Sequence, residues 1–221
     1  MDLDEARKFW KVASTFPPNK ESVYPAHAGA HEFDVQGQPG KRVLEYGCGG
    51  GSDTESLLRR GAAVLATDIV PENVQTTRAR LAAIDANYRV EVMLLESSAS
   101  IPAASENFDS VNCHGVLHHI PEAVMHRVID EFHRVLKPGG HLYAMLYTEQ
   151  LFERCMPQIE GLRSAHGWPV DRCFSYCTDG GGIARAYSLG GGRELFEQHG
   201  FEFVSAVEYN DADFRTFKVR R

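Results

Sequence analysis

Residues 43 to 52 read Val43-Leu44-Glu45-Tyr46-Gly47-Cys48-Gly49-Gly50-Gly51-Ser52. An acid is carried to the tip of a short apolar strand. Glycines then fill four of five positions, so a ligand can approach the main chain before a helix opens. Ser52 and Glu55 have the spacing of a capping box, and Gly61 suits the stop of that helix. Strand, turn and helix start are together expected to make a cradle of backbone N–H groups. Spacing narrows what the cradle could hold. The glycines fit Gly47-x-Gly49-x-Gly51, whereas a dinucleotide fingerprint needs Gly where Ser52 stands, and a P-loop needs a Lys that is missing. A fixed carboxylate at Glu45 opposes a pyrophosphate, so a ligand with an ammonium or sulfonium group suits the turn better.

Three further groups of residues follow in register: Asp68 closing the next strand, Gly115-Val116-Leu117-His118-His119, and Leu136-Lys137-Pro138-Gly139-Gly140. With Glu45-x-Gly47-x-Gly49-x-Gly51 ahead of them, over about residues 41–147, the sequence resembles the class I S-adenosylmethionine-dependent methyltransferases. Within that family it resembles small bacterial small-molecule enzymes with a Leu-His-His element.

The resemblance implies S-adenosylmethionine as methyl donor, with S-adenosylhomocysteine as product. It implies a cofactor site made by Glu45, Gly47, Gly49, Gly51, Asp68, Ile69, Ser97, Ser98, Ala99 and His114. Asp68 would accept the ribose hydroxyls; its alternative is to cap the helix before Pro71. In the loop after the third strand the family offers an acid and then a small residue to adenine. Here Ser97 holds the acid's place, with Glu96 as substitute if the register slips by one. The backbone of His114 and the ring of His119 would lie near the methionine portion. His119 is the candidate catalytic base, since imidazole is the usual base near neutral pH, although it could instead order its loop. His118 is expected to order the loop by hydrogen bonds. Tyr24, His27, Tyr147 and Tyr176 are candidate substrate-binding residues, the first two from an N-terminal lid that also holds His31. Each of the lid residues reads equally as part of a surface loop.

The elements that must place these residues alternate. The pattern predicts strands over 43–46, 64–67, 90–95, 108–113 and 141–147, with helices over 53–60, 71–86 and 122–136 between them. A helix over 193–199 and two last strands, 201–207 and 214–219, complete it. The expected fold is α/β: a Rossmann-like, doubly wound, seven-stranded, mostly parallel sheet with an antiparallel C-terminal strand and helices on both faces. One domain is expected, divided as 1–40 (helix and lid), 41–147 (cofactor core), 148–186 (a substrate-cap insertion without regular alternation) and 187–221 (helix and hairpin).

Composition bounds the rest. The chain has 221 residues, 43% of them hydrophobic, and a net charge of -7. Its basic residues are scattered, which disfavours a nucleic-acid partner. No apolar run approaches a membrane span and no signal peptide is visible, so a cytoplasmic monomer or homodimer is expected. Five cysteines, an odd number, fit a reducing compartment. No metal is expected, because the acidic set of the Mg²⁺-dependent catechol enzymes is missing. Asn112-Cys113-His114-Gly115 stands where relatives that methylate planar nitrogens carry Asn/Asp-Pro-Pro-Tyr, which argues against adenine or glutamine as acceptor. The expected reaction is in-line methyl transfer to an O, N, S or C nucleophile of a small metabolite. A non-catalytic cofactor-binding scaffold and a nucleotide-dependent oxidoreductase are the alternatives.

Overall fold

A computed structural model describes residues 6–8, 39–84, 88–179, 182–209 and 212–221. The elements in chain order are β1 (Arg42–Tyr46), α1 (Ser52–Arg59), β2 (Ala63–Asp68), α2 (Pro71–Ala82), β3 (Val90–Leu94) and β4 (Phe108–His114). A 3-10 turn at Leu117–His119 leads into α3 (Glu122–Val135) and β5 (Leu136–Thr148). Then come α4 (Glu149–His166), α5 (Val170–Asp179), β6 (Ala186–Tyr187), α6 (Leu189–Glu197), β7 (Glu202–Tyr209) and β8 (Phe214–Arg220). The sheet runs β3-β2-β1-β4-β5-β8-β7, with β6 paired to β5 off this path. Strands β1 to β5 pair parallel, and β8 is antiparallel to both β5 and β7. This is the expected mixed sheet, plus one short strand.

Period-2 alternation explains why both faces are covered. In β1, Leu44 and Tyr46 join the core built with Val128, Phe132 and Val135 of α3, while Val43 joins the opposite core with Leu57 and Leu58 of α1. In β5, Leu142, Ala144 and Leu146 face the α3 side. Met145 and Tyr147 of the same strand face a third cluster, made with Ile159 of α4 and Phe174 of α5. Parallel register then gathers the strand ends. Tyr46 pairs with Thr67, Glu45 with Asn112, and His114 with Met145, so the glycine turn, Asp68, His114 and Tyr147 share one edge of the sheet.

Several local expectations change. The capping box does not form: Gly51, at φ 79°, occupies the N-cap of α1 without a side-chain hydrogen bond, and Glu55 is drawn into ion pairs with Arg59 and Arg80. Gly61 does close that helix, at φ 90°. The segment 149–179 holds two helices where no regular pattern was legible. Thr148 accepts a hydrogen bond from the Leu151 N–H and opens α4, Gly167 at φ 66° closes it, and Pro157 lies inside it. Tertiary burial of Ile159, Cys173 and Phe174 over Met145, Tyr147 and Phe214 holds both helices. Helix α6 starts at Leu189 rather than Arg193 because Ser188 caps it, accepting from Gly191 N–H at 2.9 Å; Gly192 lies inside it, where a Cβ would sit 2.1 Å from the Phe217 ring.

Candidate active site

The glycine turn is fastened from below by β2. Gly47 N–H and Cys48 N–H both donate to the Thr67 carbonyl, Gly51 N–H donates to the Cys48 carbonyl, and Gly49 N–H donates to Asp68 Oδ2 at 2.9 Å. Four N–H groups of the expected cradle are therefore spent on the protein's own chain, which weakens the basis for phosphate binding. What the glycines provide is shape. A Cβ on Gly47 would lie 2.4 Å from Val116 Cγ2, one on Gly51 would lie 2.9 Å from Thr77, and at Gly49 and Gly50 a Cβ would meet nothing within 4 Å. The turn is sealed against the protein at its two ends and open to the cavity in its middle.

Asp68 is 6% exposed and does not cap α2, whose N-cap is Val70. Its Oδ1 accepts from Val70 N–H at 2.8 Å, and its Oδ2 accepts from both Gly49 and the Asn73 side-chain amide, the latter at 3.1 Å. Burial pushes its carboxyl up, against those donors. Glu45 is also buried and accepts from Thr54 Oγ1. Burial, then the neighbouring Asp53 and Asp68 charges, hold the Glu45 carboxyl well above the usual range. Asp53 in turn meets His114 Nδ1 at 3.1 Å, so His114 takes part through its ring as well as its backbone. Carboxylates crowded in this way favour a cationic ligand.

Beyond β3, Tyr46 donates its hydroxyl to the Ser98 carbonyl at 2.6 Å, and Ser97 Oγ accepts from Ala99 N–H at 3.2 Å. The Ser97 hydroxyl thus shapes its own loop. Arg7, in the helical residues 6–8, donates to the carbonyls of Ile69 and Leu95, which ties those three residues to the ends of β2 and β3.

At the other end the 3-10 turn presents two imidazoles. His119 Nδ1 lies 2.8 Å from the Ile183 carbonyl. A carbonyl can only accept, so Nδ1 carries the proton and Nε2 the lone pair of the neutral ring. His118 is 1% exposed, packs with tilted rings 4.1 Å from both His119 and Tyr147, and has no hydrogen-bond partner at either ring nitrogen among the described residues. It orders the turn by packing, not by the expected hydrogen bonds. Burial first, then His119 and the Arg185 charge, hold His118 well below the ordinary imidazole range; the Met145 backbone lies near enough to oppose this slightly without a hydrogen bond of normal geometry.

A neutral buried His118 makes stability pH-dependent with a definite sign. The unfolded ring takes up a proton near pH ~6.5 and the folded ring does not, so stability present above that pH is lost as pH falls toward the lowered folded value. Each unit of that fall costs up to ~1.4 kcal/mol. In urea denaturation at pH 7.5, 6.5 and 5.5, His118→Phe should lose less stability than wild type on acidification. It should also be no less stable at pH 7.5, since an orphaned polar group costs ~1–3 kcal/mol. Parallel pH profiles for the two proteins would refute this.

These groups line one cavity of about 440 Å³. It runs from Glu45, Gly49 and Asp68 past Ser97 and Ala99 to Val116, His119, Met145 and Tyr147. Among the described residues no group of three or more His, Cys, Asp or Glu side chains could hold a metal ion, and no helix is long and apolar enough to cross a membrane.

Residues 44–144 match the family model described as "Methyltransferase domain". The match covers β1, the glycine turn, Asp68, the 96–102 loop and the two histidines, and it sits on the sheet order just described. Over those residues the chain is similar to methyltransferase domains. It is similar to the ubiquinone biosynthesis O-methyltransferase of Pectobacterium atrosepticum, 33% identical over 138 residues, 62% of this chain and 55% of the relative. The enzyme of the same name from Hahella chejuensis is 34% identical over 150 residues, 65% and 60% of the two chains. The chain spans less than two thirds of the length of these relatives. In fold it is similar to magnesium protoporphyrin IX methyltransferase from Synechocystis PCC 6803, solved with S-adenosylhomocysteine bound: 18% identity, TM-score 0.74, all of both chains covered.

The cavity wall takes in Glu45, Gly47, Gly49, Asp68, Ile69, Ser97, Ser98, Ala99, His114, His119 and Tyr147 from the residues singled out in sequence. Gly51 stands behind it, packed against Thr77. Tyr176 does not reach it: it is 47% exposed on α5, beside Trp168. Tyr24, His27 and His31 lie outside the described residues. Sequence reasoning missed Asp53, Asn73, Arg127 and Phe214, which also line the cavity. Asn73 and Asp53 each occupy the first turn of a helix that follows a motif acid, and that position was the available signal.

Proposed function

We propose that the protein is an S-adenosylmethionine-dependent methyltransferase that methylates a hydroxyl of a small metabolite. The observation that carries this reading is the continuity of one cavity from the glycine turn and Asp68 to His119 and Tyr147. The residues fit the cofactor: the main chain at Gly49 and Gly50 is bare toward the cavity, and the carboxylates of Glu45, Asp53 and Asp68 suit a ligand with two cationic groups. Asp68 would hold the ribose, the 97–99 loop the adenine, and Glu45 with His114 the methionine end.

When bound, S-adenosylmethionine supplies a methyl group on a sulfonium that is already activated for displacement. The chain has to align the acceptor oxygen with that methyl group, and alignment is worth up to ~7–11 kcal/mol of a barrier in the best-oriented cases. His119 takes the hydroxyl proton on Nε2, since Nδ1–H is committed to Ile183. An oxygen acceptor, rather than N, S or C, is favoured by this base and by the name shared by the sequence relatives. Tyr147 forms the wall behind the imidazoles, Tyr24 and His27 remain candidates for the acceptor mouth, and α4 with α5 serves as the cap. We assign the chain as one catalytic domain, monomeric or dimeric. Five free thiols suit a cytoplasmic setting.

Calorimetric titration with S-adenosylhomocysteine beside NAD⁺, followed by transfer from methyl-labelled cofactor to a panel of phenols and alcohols, tests the reading. Micromolar binding of the first ligand, none of the second, and product formation lost in His119→Asn are expected. Tighter binding of NAD⁺ would overturn it, and binding without transfer to any acceptor would leave a scaffold.

A further inference from the structure

The segment 183–187 leaves α5, crosses the 3-10 turn and ends in β6 beside the last residues of β5. Three of its hydrogen bonds land on the turn or just after it. The Ile183 carbonyl accepts from His119 Nδ1, and Arg185 N–H donates to the His118 carbonyl at 3.1 Å. The Arg185 guanidinium donates to the Ile120 carbonyl and, at 3.2 Å, to the Tyr187 hydroxyl. Tyr187 reaches Met125 Sδ at 3.3 Å, and Ala186 and Tyr187 pair with Tyr147 and Thr148. Among the described residues every hydrogen-bond acceptor of this guanidinium is uncharged, and the side chain stitches one backbone to another.

We propose that Arg185 is a positioning residue: it ties the 183–187 strap to the His118–Ile120 turn and so keeps the Ile183 carbonyl on His119 Nδ1, which fixes the tautomer that presents Nε2 as the base. This rests on the reading of His119 as the base, and the argument is geometric. A 3-10 turn has few internal hydrogen bonds of its own, here His119 N–H to Val116 and Ile120 N–H to Leu117. The strap adds three bonds to it from outside, two of them through Arg185. Without the guanidinium the strap keeps its backbone bond to the His118 carbonyl and the β6 pairing but loses its hold on Ile120, so the Ile183 carbonyl is held less firmly against the ring, and a neutral imidazole in water divides between its two tautomers. The strap follows α5 in the chain, and Ala184 N–H donates back to the Asp171 carbonyl of α5, so the placement of the base is coupled to the proposed cap.

The test uses the full chain labelled with ring-¹⁵N histidine, as wild type, Arg185→Gln and Arg185→Lys, with and without S-adenosylhomocysteine. Nitrogen shifts report the tautomer directly, with no need for an acceptor. Wild-type His119 should be protonated on Nδ1 only, Arg185→Gln should show mixed protonation, and Arg185→Lys should recover part of the wild-type pattern. Affinity for S-adenosylhomocysteine should stay within ~3-fold, well under the tenfold that ~1.4 kcal/mol represents. With an acceptor in hand, kcat should fall ~10-fold or more at unchanged cofactor KM, a part of the ~10²–10⁴ that a placed base contributes. An unchanged His119 tautomer in Arg185→Gln overturns the proposal, as does equal loss of cofactor affinity in both variants, which would mark Arg185 as merely structural. Wild type that fails to bind S-adenosylhomocysteine would remove the functional reading, while the tautomer comparison would still decide this one.

Discussion

Asp68→Ala should weaken S-adenosylhomocysteine binding by ~100-fold or more, about 2.7 kcal/mol. Two losses combine. The carboxylate that would meet the ribose hydroxyls disappears, worth ~1.5–3 kcal/mol as a hydrogen bond to a charged group. The turn also loosens, because Asp68 is what Gly49 N–H, Val70 N–H and the Asn73 amide donate to. Two backbone donors would be left buried without this acceptor, at ~1–3 kcal/mol each where water cannot reach them. Asp68→Asn keeps the shape and one acceptor oxygen, so it should fall between wild type and Ala in both affinity and stability. Calorimetry gives the first quantity and urea denaturation the second. Affinity within ~3-fold of wild type, alongside a clear loss of stability, would mean that Asp68 only braces the turn.

Gly47→Ala should destabilise the fold by ~2–5 kcal/mol and abolish cofactor binding. The backbone at Gly47 has φ 84°, which costs an L-residue ~1–2 kcal/mol. The new methyl would also stand 2.4 Å from Val116 Cγ2, and such overpacking costs ~1–3 kcal/mol. Val116 cannot retreat without carrying the loop that leads into His118 and His119, so the damage spreads to the proposed base. Adding Val116→Ala removes Cγ2 and should return the packing part while leaving the backbone part. The cycle of two singles and the double, followed by urea denaturation, separates them. A double variant no more stable than Gly47→Ala would show that the contact with Val116 is not the cause.

How well each feature could be read followed from how local its cause was. Gly61 was legible as a helix stop because a left-handed residue after a helix is a property of a few neighbours. The capping box was misread for the opposite reason. Its spacing was right, but Glu55 is held by Arg80, 25 residues away, and Gly51 already supplies the turn. His118 was misread because adjacency to His119 says nothing of burial. Only the packing of Tyr147, arriving from β5, leaves its ring dry. Tyr176 lies away from the cavity because α5 turns that residue toward solvent while Cys173 and Phe174 go to the core.

The sequence by itself determined the alternation of strand and helix from residue 42 to 148, the glycine turn, the acid at the end of β2 and the pair of imidazoles after β4. These depend on side-chain period, on glycine's access to positive φ and on turn residues, all of which act over a few positions. Tertiary structure alone decided that the N–H groups of Gly47, Cys48 and Gly49 are taken by Thr67 and Asp68, that Asp53 meets His114, and that the Ile183 carbonyl from beyond α5 stands against His119 Nδ1. Each of those contacts joins residues 19 to 64 positions apart, brought together by parallel register and by burial of the α4–α5 pair, and no local pattern encodes such a meeting.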